Sequence, residues 1–414
     1  MRGRANRLIR AAAGALVGLA LGAPGAHAQG PGATLTEDRQ ALERALVCRG
    51  DVDGAGKPAV LLVHGTGSSP EESYSFGYTH ALRALGFPVC TVQLPGYGVV
   101  DMQRSIQYVV YATREVARRS GRKVSLIGHS QGAVLVTYAS YFWPDLPAQI
   151  DDVIGLAGPY QGTTAADTGC AGGACSVYAW QFRPGSKLNA AYRDRPQPPG
   201  PSFTAIATSF DELVTPAPQA ALLKGASNVV IQDLCPARPV GHFVLVADAV
   251  AYAVALDALT HTGAANPSRF DPRTCLQTII PGADLAKAAV TAPLAIANAI
   301  SRNASAPNVD REPVLRCPFD TADCPPPQLR LTRRCLSAGR LRVGLAGDVD
   351  AVRDVDFKLG RRLVRRDVSE PFAGTVGARV LKRARRVPLR AVTYVDWPSS
   401  ARVILSRPLP RCGA

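Results

Sequence analysis

The chain has 414 residues, 47% of them hydrophobic and 19% charged, which argues against a disordered or fibrous protein and leaves room for one large core plus a smaller module. Its formal charge of +15 is unevenly placed: residues 1–28 carry four Arg and no acid, and residues 330–414 carry 20 Lys and Arg against 7 Asp and Glu. The stretch between is near neutral, with 23 basic and 25 acidic residues, so the main body has no reason to seek polyanions and nucleic acid is not an expected partner.

Arg2, Arg4, Arg7 and Arg10 lead into an apolar run over 11–23, followed by Ala26-His27-Ala28. This is the pattern of a secretory signal peptide cleaved after Ala28; as a membrane anchor the run is short and ends in Gly and Pro. Export implies an oxidising compartment, so the ten cysteines read as five disulfides. Spacing favours the pairs Cys48 with Cys90, Cys170 with Cys175, Cys235 with Cys275, Cys317 with Cys324 and Cys335 with Cys412. No CxxC pair or Cys/His cluster has zinc spacing.

Continuous apolar runs at 59–63 and 87–94 predict buried strands, with a helix over 74–85 between them and a long helix over 101–119 after them. A third buried strand at 123–127 then meets Gly128-His129-Ser130-Gln131-Gly132, and a helix follows over 133–139. That setting is a nucleophile elbow, in which small residues two positions either side let a sharp strand-to-helix turn close around the serine. Further strands are expected at 152–156, 203–208 and 229–233. Strands alternating with helices in this order predict a mostly parallel, doubly wound sheet.

A serine hydroxyl needs a neutral imidazole to take its proton and a carboxylate to hold that imidazole. In this class of fold the partners follow in the order Ser, acid, His. His242 and His261 are the two histidines beyond Ser130. His242 falls in a loop after a predicted strand and before a helix expected over 243–259, whereas His261 sits at the far end of that helix as a cap. The acid is expected at the end of the preceding strand, where Asp211 stands with Glu212 beside it; Asp233 lies too near His242 in sequence and reads as a loop or cap carboxylate. Oxyanion donors are expected from the amides of Gln131 and Thr66, the latter in the loop His64-Gly65-Thr66-Gly67. His64 itself reads as structural.

These stretches together resemble the Candida antarctica lipase B-like family of α/β-hydrolase lipases. The resemblance runs through Gly65-Thr66-Gly67, Asp101-Met102-Gln103 with Tyr108-Val109, Ser130-Gln131-Gly132, Phe142-Trp143-Pro144, Pro159-Tyr160-Gln161-Gly162-Thr163, Asp211-Glu212-Leu213-Val214-Thr215-Pro216 and the Ala-rich run 285–300. It implies a triad of Ser130, Asp211 and His242, an oxyanion hole at Thr66 and Gln131, and disulfides 48/90 and 235/275. It further implies hydrolysis of acylglycerols or other carboxylic esters through an acyl-enzyme with no metal or cofactor, and an Ala-rich helix bordering the acyl pocket. The stretch 165–192 departs from the family and is expected to form a lid or a specificity wall.

After Pro325-Pro326-Pro327 the texture changes. Short β-rich runs at 341–345, 355–359, 362–365, 377–381, 389–395 and 401–405 predict a small all-β sandwich that resembles immunoglobulin-like modules. The expected organisation is a leader at 1–28, an α/β-hydrolase catalytic domain at 29–324, a Pro-rich linker at 325–334 and a basic sandwich at 335–414. The basic clusters at 361–366 and 382–386 are either solvated faces or a hold on anionic envelope polymers or lipid surfaces. Competing readings of the whole are an acyltransferase or polyester hydrolase using the same site, and a non-catalytic surface-binding protein that keeps the hydrolase fold.

Overall fold

The computed structural model describes residues 33–412 except 34, 55, 194, 320–328, 348, 350–351, 369–370, 385–386, 398 and 411. The leader read in residues 1–28, Cys324 and the start of the Pro-rich stretch lie outside the described residues. The strands in chain order are β1 (Leu46–Arg49), β2 (Val60–Val63), β3 (Val89–Val92), β4 (Val124–His129), β5 (Ile150–Leu156), β6 (Cys175–Ser176), β7 (Ser202–Ala207), β8 (Ser227–Val230) and β9 (Asn308–Val309). β6 and β9 form a small separate pair. The others make one seven-stranded sheet in the order β1-β3-β2-β4-β5-β7-β8, parallel except for β1 at its edge.

This is a mostly parallel, doubly wound sheet, as the alternation of runs predicted, and it is buried on both faces. Side chains alternate along β2, so Leu61 and Val63 enter one core while Val60 and Leu62 enter the other. That is why the central strands read as unbroken apolar runs rather than as alternating ones. The helices Met102–Ser120 and Gln131–Phe142 cover one face; Tyr78–Ala84 and Ala249–Thr260 cover the other. Asp101 caps the first of these by accepting from Gln103 N–H at 2.9 Å, and Gly121 ends it in the left-handed region at φ 62°.

Several local expectations are corrected. The helix expected over 74–85 is two, Pro70–Tyr74 and Tyr78–Ala84, interrupted at Gly77. The helix expected over 243–259 begins only at Ala249, where Asp248 accepts from Val250 and Ala251 N–H. β8 stops at Val230, and Asp233 sits in the helical turn Ile231–Leu234 instead of ending a strand. β1 was not foreseen; it pairs with β3 so that Cys48 lies directly opposite Cys90.

The C-terminal part forms two antiparallel sheets, consistent with a β module. Its strands are β10 (Leu329–Leu336), β11 (Arg340–Gly347), β12 (Val352–Leu359), β13 (Arg362–Asp367), β14 (Ala373–Val376), β15 (Leu389–Trp397) and β16 (Ser399–Arg407). The orders are β10-β11-β14 and β13-β12-β15-β16. β10 begins inside the stretch expected to be a linker, and 377–381, expected as a strand, belongs to the helix Ala378–Arg383, preceded by the unforeseen β14. The pairs 48/90, 170/175, 235/275 and 335/412 are disulfides. Cys317 is also disulfide-bonded. Among the described residues no helix is long and apolar enough to cross a membrane.

A buried carboxyl ties three strands of the main sheet. Asp152 on β5 accepts from Ser125 Oγ of β4 at 2.8 Å and Ser202 Oγ of β7 at 2.7 Å, and burial pushes it up to about 6 despite both donors. Its folded value lies above the unfolded 3.8, so the folded state holds a proton that the unfolded chain releases between those values. Stability is therefore lost as pH rises through that window, and the loss persists at neutral pH. Asp152→Asn, which keeps the serine contacts without the charge, is expected to raise Tm by about 2–4 °C over wild type at pH 7 and hardly at all near pH 4, measured by thermal melts at the two values.

Candidate active site

The elbow is built by steric exclusion. Ser130 joins β4 to the helix Gln131–Phe142 with φ 54° and ψ −121°, a conformation that L residues rarely adopt. A Cβ on Gly128 would fall 2.2 Å from Gly132 O, and one on Gly132 would fall 2.0 Å from Val63 O. Both glycines are thus required by close backbone approach. Ser130 N–H donates to Leu156 O of β5 at 2.8 Å, which anchors the turn to the sheet.

Gln131 is fully buried, and its side chain turns aside to donate from Nε2 to Gly98 O at 3.0 Å. What it offers beside Ser130 is its main-chain N–H, one of the helix-start donors that have no carbonyl partner within the helix. The loop after β2 supplies the facing side: a Cβ on Gly65 would lie 3.0 Å from Ser130 Cβ, and Thr66 lines the same cavity as Ser130. His64 is structural, as expected. Its Nε2 accepts from Leu94 N–H at 3.0 Å and its Nδ1 donates to Gly65 O at 2.8 Å, while burial pushes it down to about 4.

His242 and Asp211 come together although 31 residues apart, with His242 Nδ1 at 3.0 Å from Asp211 Oδ2 and both side chains buried. The carboxylate only accepts, so Nδ1 carries the proton and Nε2 keeps its lone pair. Burial raises Asp211, but the His242 hydrogen bond and charge, with the N–H groups of Val214 at 2.7 Å and Leu213 at 2.9 Å, outweigh it and hold the carboxyl below its ordinary range. The alternatives are not brought here. His261 is half exposed at the end of its helix, with Nδ1 at 2.9 Å from Asp257 O, and Asp233 lies in a separate turn.

Two further residues grip the main chain of His242. Its N–H donates to Glu212 Oε2 at 2.8 Å, and its carbonyl accepts from His129 Nε2 at 3.1 Å. Burial drives His129 down to about 3, followed by repulsion from His242, so its ring is a neutral donor. The sequence placed Glu212 beside the acid but gave it no task. Nothing in it announces that the ring of His129 reaches a residue 113 positions away.

Ser130, His242 and Thr66 share a cavity of about 630 Å³ whose walls are mostly apolar. Phe76, Phe182, Val214, Val246 and Ile296 line it, and the helix Leu285–Ala304 presents Ala288, Ala292, Ala295 and Ala299 to it. That helix buries little besides Ala299 and is pinned by polar contacts: Arg302 to Glu72 at 2.6 Å, Asn298 to Glu72 at 2.7 Å and Lys287 to Glu71 at 2.6 Å. The departing stretch folds as short helices, Thr164–Gly169, Val177–Phe182 and Lys187–Arg193, and Ala166, Tyr178 and Phe182 from it form one wall of the cavity.

Residues 60–261 match the model of the α/β hydrolase family. Lipase B of Pseudozyma antarctica is 26% identical over 280 residues, which cover 63% of this chain and 80% of that protein. A triacylglycerol lipase of Burkholderia plantarii is 29% identical over 123 residues, 28% of this chain and 34% of that protein. Among solved structures, lipase B of Aspergillus fumigatus superposes with a TM-score of 0.62 at 25% identity, covering 69% of this chain and 72% of that one. A strained serine turn under an apolar cavity thus stands within a sequence and a fold shared with lipases: the chain is a lipase B homologue, a carboxylic ester hydrolase of the α/β-hydrolase fold.

Proposed function

We propose that the chain is a secreted lipase or carboxylesterase in which Ser130, His242 and Asp211 form the catalytic triad and the amides of Thr66 and Gln131 the oxyanion hole. The observation that carries the reading is the shared apolar cavity of Ser130 and His242, with the far nitrogen of that imidazole 3.0 Å from a buried carboxylate. Ser130 Oγ attacks the ester carbonyl carbon as its proton passes to His242 Nε2; the carbonyl π electrons move to oxygen, where the two amides donate to the developing charge. Collapse breaks the bond to the alcohol, which leaves with the proton from Nε2. Water, deprotonated by the same nitrogen, then hydrolyses the acyl-enzyme.

Asp211 holds the tautomer throughout and stabilises the imidazolium. The apolar walls favour an acyl chain over a charged or peptide-like group, since a polar substrate would lose hydration there without gaining partners. Disulfides suit an exported protein, in keeping with a leader cut after Ala28. In this reading residues 29–324 are the catalytic unit and 335–414 a separate basic module.

A p-nitrophenyl ester series of rising chain length, repeated with emulsified triglyceride, tests the reading. Ser130→Ala is expected to abolish turnover above background, and Asp211→Asn to lower kcat by roughly 10⁴-fold through the wrong tautomer; unchanged turnover in Ser130→Ala would end the triad assignment. Turnover confined to short soluble esters makes the enzyme an esterase. Glu212 is a positioning residue here. Its replacement by Ala, which releases the N–H of His242, is expected to lower kcat about tenfold with KM unchanged, while Glu212→Gln, which still accepts, retains most activity.

A further inference from the structure

The cationic side chains of the C-terminal module differ in their surroundings between its two sheets. In the four-stranded sheet, buried Asp356 of β12 lies 2.7 Å from Arg366 and 3.2 Å from Lys358, so the basic cluster at 361–366, conspicuous in the sequence, is partly neutralised. The strands of the three-stranded sheet carry no acid of their own: β10, β11 and β14 contain no Asp or Glu, and among the described residues Asp367 reaches it only at the start of β14, accepting from Ala373 N–H at 3.0 Å. Strand alternation sends Leu331, Leu341, Val343 and Val376 into the module core. The opposite face carries Arg330, Thr332, Arg334, Arg340, Arg342 and Thr375, all exposed.

Register sharpens the point. Arg334 stands directly across from Arg342, which in turn stands across from Thr375 on β14. Arg340 follows on the same face of β11, two residues from Arg342. Like charges directly opposite on neighbouring strands destabilise a sheet unless an anion lies over them. Arginine forks match phosphate oxygens in pairs, so a layer of phosphates satisfies such a face without reorganising it.

We propose that this face of β10-β11-β14 docks the enzyme on an anionic lipid surface, its arginines taking the phosphates of the headgroups. A three-stranded sheet offers a broad face and not a groove that would track a single strand, and its strands contain no Phe, Tyr or Trp on which nucleobases could stack. The choice of lipid among polyanions rests on the ester-hydrolase class of the chain and its lipid or ester substrates, not on the assignment of the triad. Docking would hold the enzyme where its water-insoluble substrates are concentrated.

The test is sedimentation of the full chain with phosphatidylcholine vesicles, with and without phosphatidylglycerol, at low and high NaCl. Binding is expected only with phosphatidylglycerol and to be lost at high salt. At roughly fivefold per arginine near such a surface, the double variant Arg334→Gln with Arg342→Gln should partition about thirtyfold more weakly. Arg361→Gln with Arg362→Gln should change it little. Far-UV circular dichroism and thermal melts, unchanged in the arginine variants, report that the module is folded, and turnover of a soluble short ester, unchanged in them, reports the same of the catalytic unit. Ser130→Ala should bind vesicles like wild type, which separates docking from catalysis. Equal binding to both vesicle types, wild-type binding by the Arg334/Arg342 variant, or binding to soluble DNA or heparin without binding to vesicles would overturn the proposal.

Discussion

The geometry of the site depends on how closely the start of the helix Gln131–Phe142 is pressed against the end of β2. Gly132 has no room for a single added carbon before Val63 O and His64 O, at 2.0 and 2.8 Å from such an atom. This approach forces the turn at Ser130 into a positive φ and lifts its side chain above the sheet. Parallel pairing of β2 with β4, with Val63 opposite Gly128, then brings the loop 64–67 over the same spot. Candidate nucleophile and candidate oxyanion donors are therefore set by one packing contact between two strand ends.

The histidine is held by a different principle. His242 lies in a loop, which by itself would leave it mobile, yet its N–H and its carbonyl are both engaged, by Glu212 and by His129. The loop before it is tied down as well, by Thr208 Oγ1 donating to Val240 O at 2.6 Å and by the Cys235–Cys275 disulfide. Burial holds His64 and His129 neutral, at about 4 and about 3, so neither competes for the proton. Of the imidazoles around the serine, His242 is the one with a carboxylate behind it, where a positive charge is compensated.

The basic module shows how pairing alters what charge counts mean. The run 361–366 holds the densest cluster of arginines, but Asp356 sits beside it once the strands pair. The sheet whose strands hold no acid gains its character from register, because Arg334 and Arg342 are eight residues apart in sequence and become neighbours only across a hairpin. Charge density along a chain and charge density on a face are different quantities.

Local patterns were legible wherever the physics is local. The elbow could be read because its strain is confined to five residues, and the central strands because burial on both faces leaves no polar alternation. Asp211 and His242 were expected together from chain order, and the fold brings their side chains to 3.0 Å. Short segments were not: 377–381 fits either period over so few residues and folds as the start of a helix, and the break at Gly77 arises where that residue packs against Ile280, whose Cδ1 would lie 3.0 Å from an added Cβ. The sequence by itself determined the order of strands and helices and the place of the strained turn at Ser130. Tertiary structure alone decided that His129 and Glu212 grip His242 and that arginines line one sheet face, because those contacts join residues distant in the chain, which no window along it can measure.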